Sequence, residues 1–145
     1  MAELLLIARL AGRRVALPAR DIEAVVELEG LTPVPGAPRH IAGLSALRSR
    51  VLTVIDSRAS LGLPPVLAEG AREAVVVPSG GHTYALLVEQ VEDVVEAVDE
   101  PVPVKAPAGG GWDRAALGMV EAGGALLLLI DPHQLIAGQP ALSDA

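Results

Sequence analysis

Side chains that could carry out chemistry are few in this sequence, and they are widely separated. His40, His82 and His133 stand 42 and 51 residues apart, so no two share the short helical spacing that directs a pair of imidazoles at one metal ion. The chain contains no cysteine, which removes thiolate nucleophiles and thiolate metal ligands. We therefore predict no metal site and no cofactor.

Three short motifs resemble parts of active sites but are incomplete. Gly43-Leu44-Ser45-Ala46-Leu47 lacks the final glycine of a nucleophile elbow, so we expect Ser45 to be a strand residue. Gly109-Gly110-Gly111 is not followed by the Lys-Ser or Lys-Thr of a phosphate loop, and it is interpreted as a flexible loop. Glu92 and Asp93 would point to opposite faces of a strand, so they form no acid/base pair. The sequence predicts no catalytic residue and no enzyme.

Charge is distributed unevenly along the chain. Residues 1–72 hold nine Arg against seven acids, a net charge of +2, whereas residues 73–145 hold two bases against eleven acids, a net charge of −9. Trp112 and Tyr84 are the only aromatic residues besides the histidines. Nucleic-acid binding needs phosphate-neutralising charge and stacking rings, so we predict no nucleic-acid partner.

No segment has the features of a membrane or secretion signal. The first apolar stretch carries the acid Glu3 where a signal peptide needs positive charge. The apolar run at residues 125–130 is far shorter than the roughly 20 residues of a spanning helix. Together with the missing cysteines, these features predict a cytoplasmic protein without direct membrane insertion.

The elements that would position any site are predicted to be strands. The apolar residues are mainly Val, Leu, Ile and Ala in short runs bounded by Gly and Pro, which favours an all-β fold. We predict single helical turns at 21–23, 57–61 and 132–137, with Asp56 and Asp131 as caps of the last two. The predicted strands are 3–10, 14–17, 24–28, 42–47, 51–55, 74–78, 83–88, 93–98, 117–121 and 125–130.

The chain also contains an internal duplication. Residues 14–27 align without gaps on residues 83–96, as Leu17 with Leu86, and residues 43–56 align on residues 118–131, as Gly43 with Gly118. The change of offset from 69 to 75 indicates an insertion, which we place at residues 101–113. The two pseudo-repeats span approximately residues 14–62 and 83–137, joined near residues 62–72. Two small barrels of similar topology, forming one domain over residues 1–145, are the prediction; chance similarity among Val-rich strands is the alternative.

An ordered set of segments carries a family resemblance over nearly the whole chain. The set includes Ile22-Glu23-Ala24-Val25-Val26, Ile41-Ala42-Gly43-Leu44-Ser45-Ala46-Leu47-Arg48, Val54-Ile55-Asp56 and Leu129-Ile130-Asp131. In this set the chain resembles the CheW-like adaptors of bacterial chemotaxis. The resemblance implies two intertwined five-stranded SH3-like barrels with a hydrophobic groove, and a function without catalysis.

The resemblance also implies partners and contact residues. Such adaptors bind the cytoplasmic tip of methyl-accepting chemoreceptors and the regulatory domain of the histidine kinase CheA, and they build rings with that kinase. The receptor contact is expected at Arg48, Ile22, Val25, Val94 and Val95, and the kinase contact at Gly43, Leu44 and Ala24. We further predict that Val25 and Val94 are the core-facing members of their Val-Val pairs, with their neighbours facing the groove.

Departures from the family pattern leave alternatives open. The family usually has Asn-Leu-Arg-Gly where this chain has Ala46-Leu47-Arg48-Ser49, and an acid where it has Ala24. One alternative is a divergent paralogue that binds the kinase but not standard receptors. Another is a small β-barrel that binds a ligand.

Overall fold

The computed structural model describes residues 3–64, 72–104 and 109–138. Ten strands and four short helical segments make up this part of the chain. The strands are β1 Leu4–Leu10, β2 Arg13–Pro18, β3 Ala24–Leu28, β4 Ile41–Leu47, β5 Arg50–Ile55, β6 Arg72–Ser79, β7 His82–Leu87, β8 Gln90–Glu96, β9 Ala116–Ala122 and β10 Ala125–Ile130. The helices are α1 Ser57–Ser60, α2 Gly110–Ala115 and α3 Pro132–Ala137, with a single 3-10 turn at Ala19–Asp21.

The all-β prediction is confirmed, and each predicted strand is present with its ends moved by three residues or fewer. The predicted caps are also confirmed. An Asp56 carboxylate oxygen accepts a hydrogen bond from the Ala59 N–H, and one of Asp131 accepts from the His133 N–H. The helical turn predicted at 21–23 lies two residues earlier, because residues 22 and 23 are already extended on the way into β3.

The strands form two five-stranded sheets, each curled like a barrel. The first, here barrel A, has the order β8-β1-β2-β10-β9, and the second, barrel B, has the order β3-β6-β7-β5-β4. All neighbouring strands are antiparallel except the pairs β2–β10 and β5–β7, which are parallel. The chain makes two strands of barrel A, then all of barrel B, and then returns for the last three strands of barrel A.

The two sheets have the same strand order once each strand of barrel A is replaced by its equivalent in barrel B. Replacing β1, β2, β8, β9 and β10 by β6, β7, β3, β4 and β5 converts the order of barrel A into that of barrel B. This exchange pairs the same segments that the sequence alignment pairs, and it supports the proposed duplication at residues 14–62 and 83–137. Of the predicted junction at residues 62–72, residues 65–71 lie outside the described residues.

Apolar side chains form three clusters, one inside each barrel and one between them. Leu127 and Leu129 of β10 enter the core of barrel A, while Leu128 and Ile130 enter the shared core between the barrels. A strand buried on both faces has no polar positions to alternate with its apolar ones, which explains the apolar run at residues 127–130, whereas Leu126 before it is exposed. The shared core is built around Leu6, Leu10, Leu17, Ile55, Val75, Val77, Leu86, Trp112, Ile130 and Leu135.

Helix α2 corrects one sequence prediction. The Gly109-Gly110-Gly111 segment was expected to be a flexible loop, and this is wrong, because residues 110–115 form a helix. Gly111 lies against the Leu61 backbone, where an added Cβ would approach within 2.5 Å. The next residue, Trp112, is buried in the shared core with the Arg13 guanidinium 4.6 Å from its ring centre. A small residue and a large apolar anchor therefore fix this helix.

Arg114 joins the three helices where the barrels meet. Its guanidinium donates to the Ser60 carbonyl at the end of α1 and to the Gln134 carbonyl in α3, at 2.7 and 2.6 Å. Burial lowers the pKa of the Arg114 guanidinium below its ordinary value, because desolvation penalises the charged form. Since α1 follows barrel B whereas α2 and α3 flank strands of barrel A, these hydrogen bonds help to fix the barrels together.

Candidate interaction surface

Arg48 occupies the tight turn between β4 and β5. Its side chain is exposed, and none of the residues that the structure describes forms a hydrogen bond or ion pair with its guanidinium. Glu23, which could have neutralised Arg48, instead accepts a 2.7 Å hydrogen bond from Arg50. This ion pair ties the start of β5 to the residue before β3. It leaves the Arg48 charge available to a partner.

The backbone of Arg48 is in the left-handed region, with φ at 57°. The equivalent turn in barrel A, 75 residues later, contains Gly123 with φ at 59° and Gly124 with φ at 80°. A non-glycine residue in this region is disfavoured by roughly 1–2 kcal/mol. Arg48, without an ion-pair partner among the described residues, therefore stands where barrel A has a glycine. Strain kept at an exposed charged residue supports a binding role.

Gly43 is buried in β4, with φ at 152°. A Cβ at this position would overlap the Thr32 carbonyl oxygen. Next to it, Leu44 exchanges two backbone hydrogen bonds of 2.8 Å with Thr32. Gly118 has the same role in barrel A, with φ at 150° and Val102 as the close neighbour. The predicted kinase contact at Gly43 thus coincides with a residue that the backbone itself requires.

The Val-Val pairs of β3 and β8 correct a second prediction. Val25 and Val94 were expected to face the barrel cores, and this is wrong, because they are 41% and 52% exposed. Val26 packs into the core of barrel B, and Val95 packs into that of barrel A. In β3 the reason is the register: Leu28 is buried, so the period of two directs the even-numbered positions inward.

The structure divides the predicted receptor and kinase residues between the barrels. Val25 projects from barrel B, and Val94 from barrel A, whereas Ile22 packs against the shared core. Ala24 is half-buried against the core of barrel B. Barrel B holds Arg48, Gly43, Leu44, Ala24 and Val25, while Val94 and Val95 belong to barrel A.

A cleft in barrel B, here called the seam cleft, was not predicted from the sequence. It has a volume of about 610 Å³ and lies between residues 27–32 and β4. Leu31 and Val51 in its lining are 43% and 66% exposed. The isolated valine between Arg50 and Leu52 was a signal for it, since a strand residue pointing away from the core is more often polar. The cleft adjoins the strand that leads to Arg48.

A cavity of barrel A has an acidic lining. It measures about 470 Å³, with Leu5, Val120 and Leu129 in its walls and Glu3, Asp99 and Glu100 in its lining. On the neighbouring β-hairpin, Arg9 and Arg14 both bond to Glu92. The lining of this cavity is therefore acidic, with three carboxylates from Glu3, Asp99 and Glu100.

The described residues do not converge on a reactive centre. Within residues 3–64, 72–104 and 109–138, no three or more of His, Asp and Glu are grouped to hold a metal ion. His40 Nε2 lies 2.9 Å from the Ile136 carbonyl, while His133 Nδ1 lies 3.2 Å from Ser79 Oγ. Ser45 is a buried residue of β4, as predicted. No helix in the described part of the chain is long and apolar enough to cross a membrane.

Comparison with known proteins gives a consistent result. A family model described as the CheW-like domain matches residues 4–139. The chain is 27% identical over 115 residues to a chemotaxis protein CheW of Rhizobium meliloti (strain 1021), covering 77% of this chain and 74% of that relative. It is 32% identical over 83 residues to a probable chemotaxis protein CheW of Rhizobium etli, covering 55% and 54%.

A solved structure shares the fold. The scaffolding protein TtCheW from Thermoanaerobacter tengcongensis superimposes with a TM-score of 0.76 at 22% sequence identity, covering 90% of this chain and 89% of that one. Two intertwined five-stranded sheets, each curled like a barrel, define a double-barrel all-β domain. The chain belongs to the CheW-like domain family.

Proposed function

We propose that this protein is a non-catalytic adaptor that couples chemoreceptors to the histidine kinase CheA in a chemosensory array. Support comes from the family match over residues 4–139 and from relatives named as chemotaxis and scaffolding proteins. The partners are the cytoplasmic tip of a methyl-accepting receptor and the regulatory domain of CheA. A cytoplasmic position at such arrays follows from these partners.

The observation that carries the proposal is the state of Arg48. Arg48 has no ion-pair partner in the described structure, and its backbone adopts a conformation that the equivalent turn of barrel A gives to glycine. A shielded, charge-assisted contact to a carboxylate contributes roughly 1.5–3 kcal/mol. We assign Arg48 to the receptor contact, together with Ile22, Val25 and Val94.

Two of the proposed contact residues, Val95 and Gly43, contribute to binding by holding a strand in place rather than by touching the partner with an exposed side chain. Val95 is packed in the core of barrel A, so its contribution to receptor binding is to hold β8 in place. Gly43 likewise shapes β4 for the kinase contact, where Leu44 and Ala24 are half-buried. Substitutions at these positions are expected to lower stability together with binding.

A second candidate within the same family is an adaptor that binds the kinase but not standard receptors. Ala24 favours it, because this position packs into barrel B and offers no carboxylate beside Arg48. Glu23 does not replace that carboxylate, since it is bonded to Arg50.

Capture of partners by the purified, immobilised protein tests the proposal. We expect the wild type to retain both purified CheA regulatory domain and a receptor cytoplasmic fragment, and Arg48→Ala to weaken retention about ten- to hundredfold. Arg9→Ala is the control, since it removes a half-buried arginine, paired with Glu92, from barrel A. Retention of the kinase alone would favour the second candidate, and retention of neither partner would contradict both.

A further inference from the structure

The two barrels close their seams differently. In barrel A, the segment after β8 joins β9 through the Val98 N–H and the Glu121 carbonyl at 3.0 Å, and then through the bridge between Val102 and Met119. In barrel B, the bridge between Thr32 and Leu44 is present. In the described part of the chain, no backbone hydrogen bond joins residues 27–31 to β4. Glu29 and Ala46 correspond to Val98 and Glu121 of barrel A, and no backbone hydrogen bond joins them in the described structure.

The backbone N–H and C=O groups of β4 that have no hydrogen-bond partner among the described residues belong to Ala46. They point into the seam cleft. Both backbone groups of Leu44 bond to Thr32, on the side away from β5. Hydrogen-bonding direction alternates along a strand, so Ala46, two residues on, presents its N–H and C=O to the same side. Ala46 is exposed, and the cleft beside it has a volume of about 610 Å³. An unpaired strand edge of this kind is a template for another chain.

The lining of the cleft defines the chemistry of its occupant. Leu31, Leu44 and Val51 present an aliphatic wall. Arg48 follows β4 in the turn to β5, just beyond the residues that line the cleft, and its guanidinium has no partner among the described residues. Across the cleft, Glu27 and Glu29 are exposed and negatively charged. The acidic wall of this apolar cleft therefore favours a basic group on its occupant, and the turn after β4 offers Arg48 to a carboxylate.

The geometry points to strand addition: an extended segment of a partner protein pairs with Ala46 at the edge of β4 inside the seam cleft. The segment carries a central aliphatic side chain, a carboxylate that reaches Arg48 and a basic side chain that faces Glu27 and Glu29. Main-chain hydrogen bonds supply affinity in this mode, and alternate side chains supply specificity. The inference rests on the proposed function, because it takes the partner to be one that contacts Arg48.

Selection of peptides on the full-length protein tests this inference. A random heptapeptide phage library is selected on the wild type, and enriched peptides are synthesised with blocked ends. We expect an aliphatic residue between an acid and a base, and at least tenfold slower hydrogen exchange at the Ala46 amide in the complex. Val51→Lys should weaken binding at least tenfold, because it places a charge in the cleft. Leu126→Lys, the equivalent exposed position in barrel A, should leave binding unchanged.

Two further measurements separate the possible failures. Ala46→Pro removes the N–H that pairs with the segment, and it should abolish peptide binding. Val51→Lys tests the same cleft if that proline variant does not fold. No enriched peptide, equal binding to Val51→Lys and wild type, or concentration-dependent self-association lost in Val51→Lys would overturn the inference, the last by showing a second copy as the occupant. If Val51→Lys retains kinase and receptor while Arg48→Ala loses them, strand addition fails and the adaptor function stands.

Discussion

Replacing Arg48 with glycine separates binding from stability at the proposed contact. The left-handed backbone at Arg48 disfavours any side chain by roughly 1–2 kcal/mol. Glycine removes that strain but loses about 0.5–1 kcal/mol through its greater freedom in the unfolded chain. The net expectation for Arg48→Gly is a gain of roughly 0.5–1 kcal/mol, or a melting temperature raised by about 2 °C for a domain of this size.

The Arg48→Ala variant is the matched comparison. Alanine keeps the strained backbone and removes the guanidinium, so its stability should equal that of the wild type within about 0.5 kcal/mol. Both variants lose the charge, and both should bind the receptor fragment about ten- to hundredfold more weakly. Urea denaturation and calorimetric titration on the same preparations measure the two quantities. A less stable glycine variant would refute the strain argument, and unchanged affinity in both variants would refute the binding role.

The remaining predictions concern packing. Val26→Lys should lose several kcal/mol of stability whereas Val25→Lys loses little, because only the first side chain enters a core; equal melting temperatures would contradict this orientation. Gly43→Ala and Gly118→Ala should each destabilise the protein by similar amounts above about 1 kcal/mol, since both would place a Cβ against a carbonyl oxygen; tolerance at either position in thermal denaturation would count against that crowding. Trp112→Ala should cost about 3–5 kcal/mol in denaturant unfolding, and a loss under 1 kcal/mol would show that α2 is not anchored by this side chain.

The sequence predicted the strands well because their signals are local. Short aliphatic runs ending in glycine-containing turns, such as Gly123-Gly124, mark both the strand and its end. The sequence also paired the two sets of strands that occupy equivalent places in the two barrels. Which segment crosses from one barrel to the other depends on distant packing, and the sequence did not predict it; the resemblance implied only that the barrels are intertwined.

The features that were missed depend on tertiary contacts. Val25 and Val26 are chemically identical, so only the packing of β3 against its barrel decides which one faces inward. Helix α2 forms in a glycine-rich segment because Gly111 fits against Leu61 and Trp112 fills the shared core. The seam cleft lies where barrel B lacks a backbone hydrogen bond that barrel A has. Apart from the exposed Val51, no local residue pattern indicates these outcomes.

The adaptor role is tested most directly by measuring whether one protein molecule joins the two partners. Purified receptor cytoplasmic fragment is immobilised, and CheA regulatory domain is passed over it with wild-type protein, with Arg48→Ala or with the Arg9→Ala control. The account predicts that the kinase domain is retained only when wild-type or Arg9→Ala protein is present, and at least tenfold less with Arg48→Ala. Equal retention of the kinase domain with Arg48→Ala, or none with the wild type at micromolar concentrations, would contradict it.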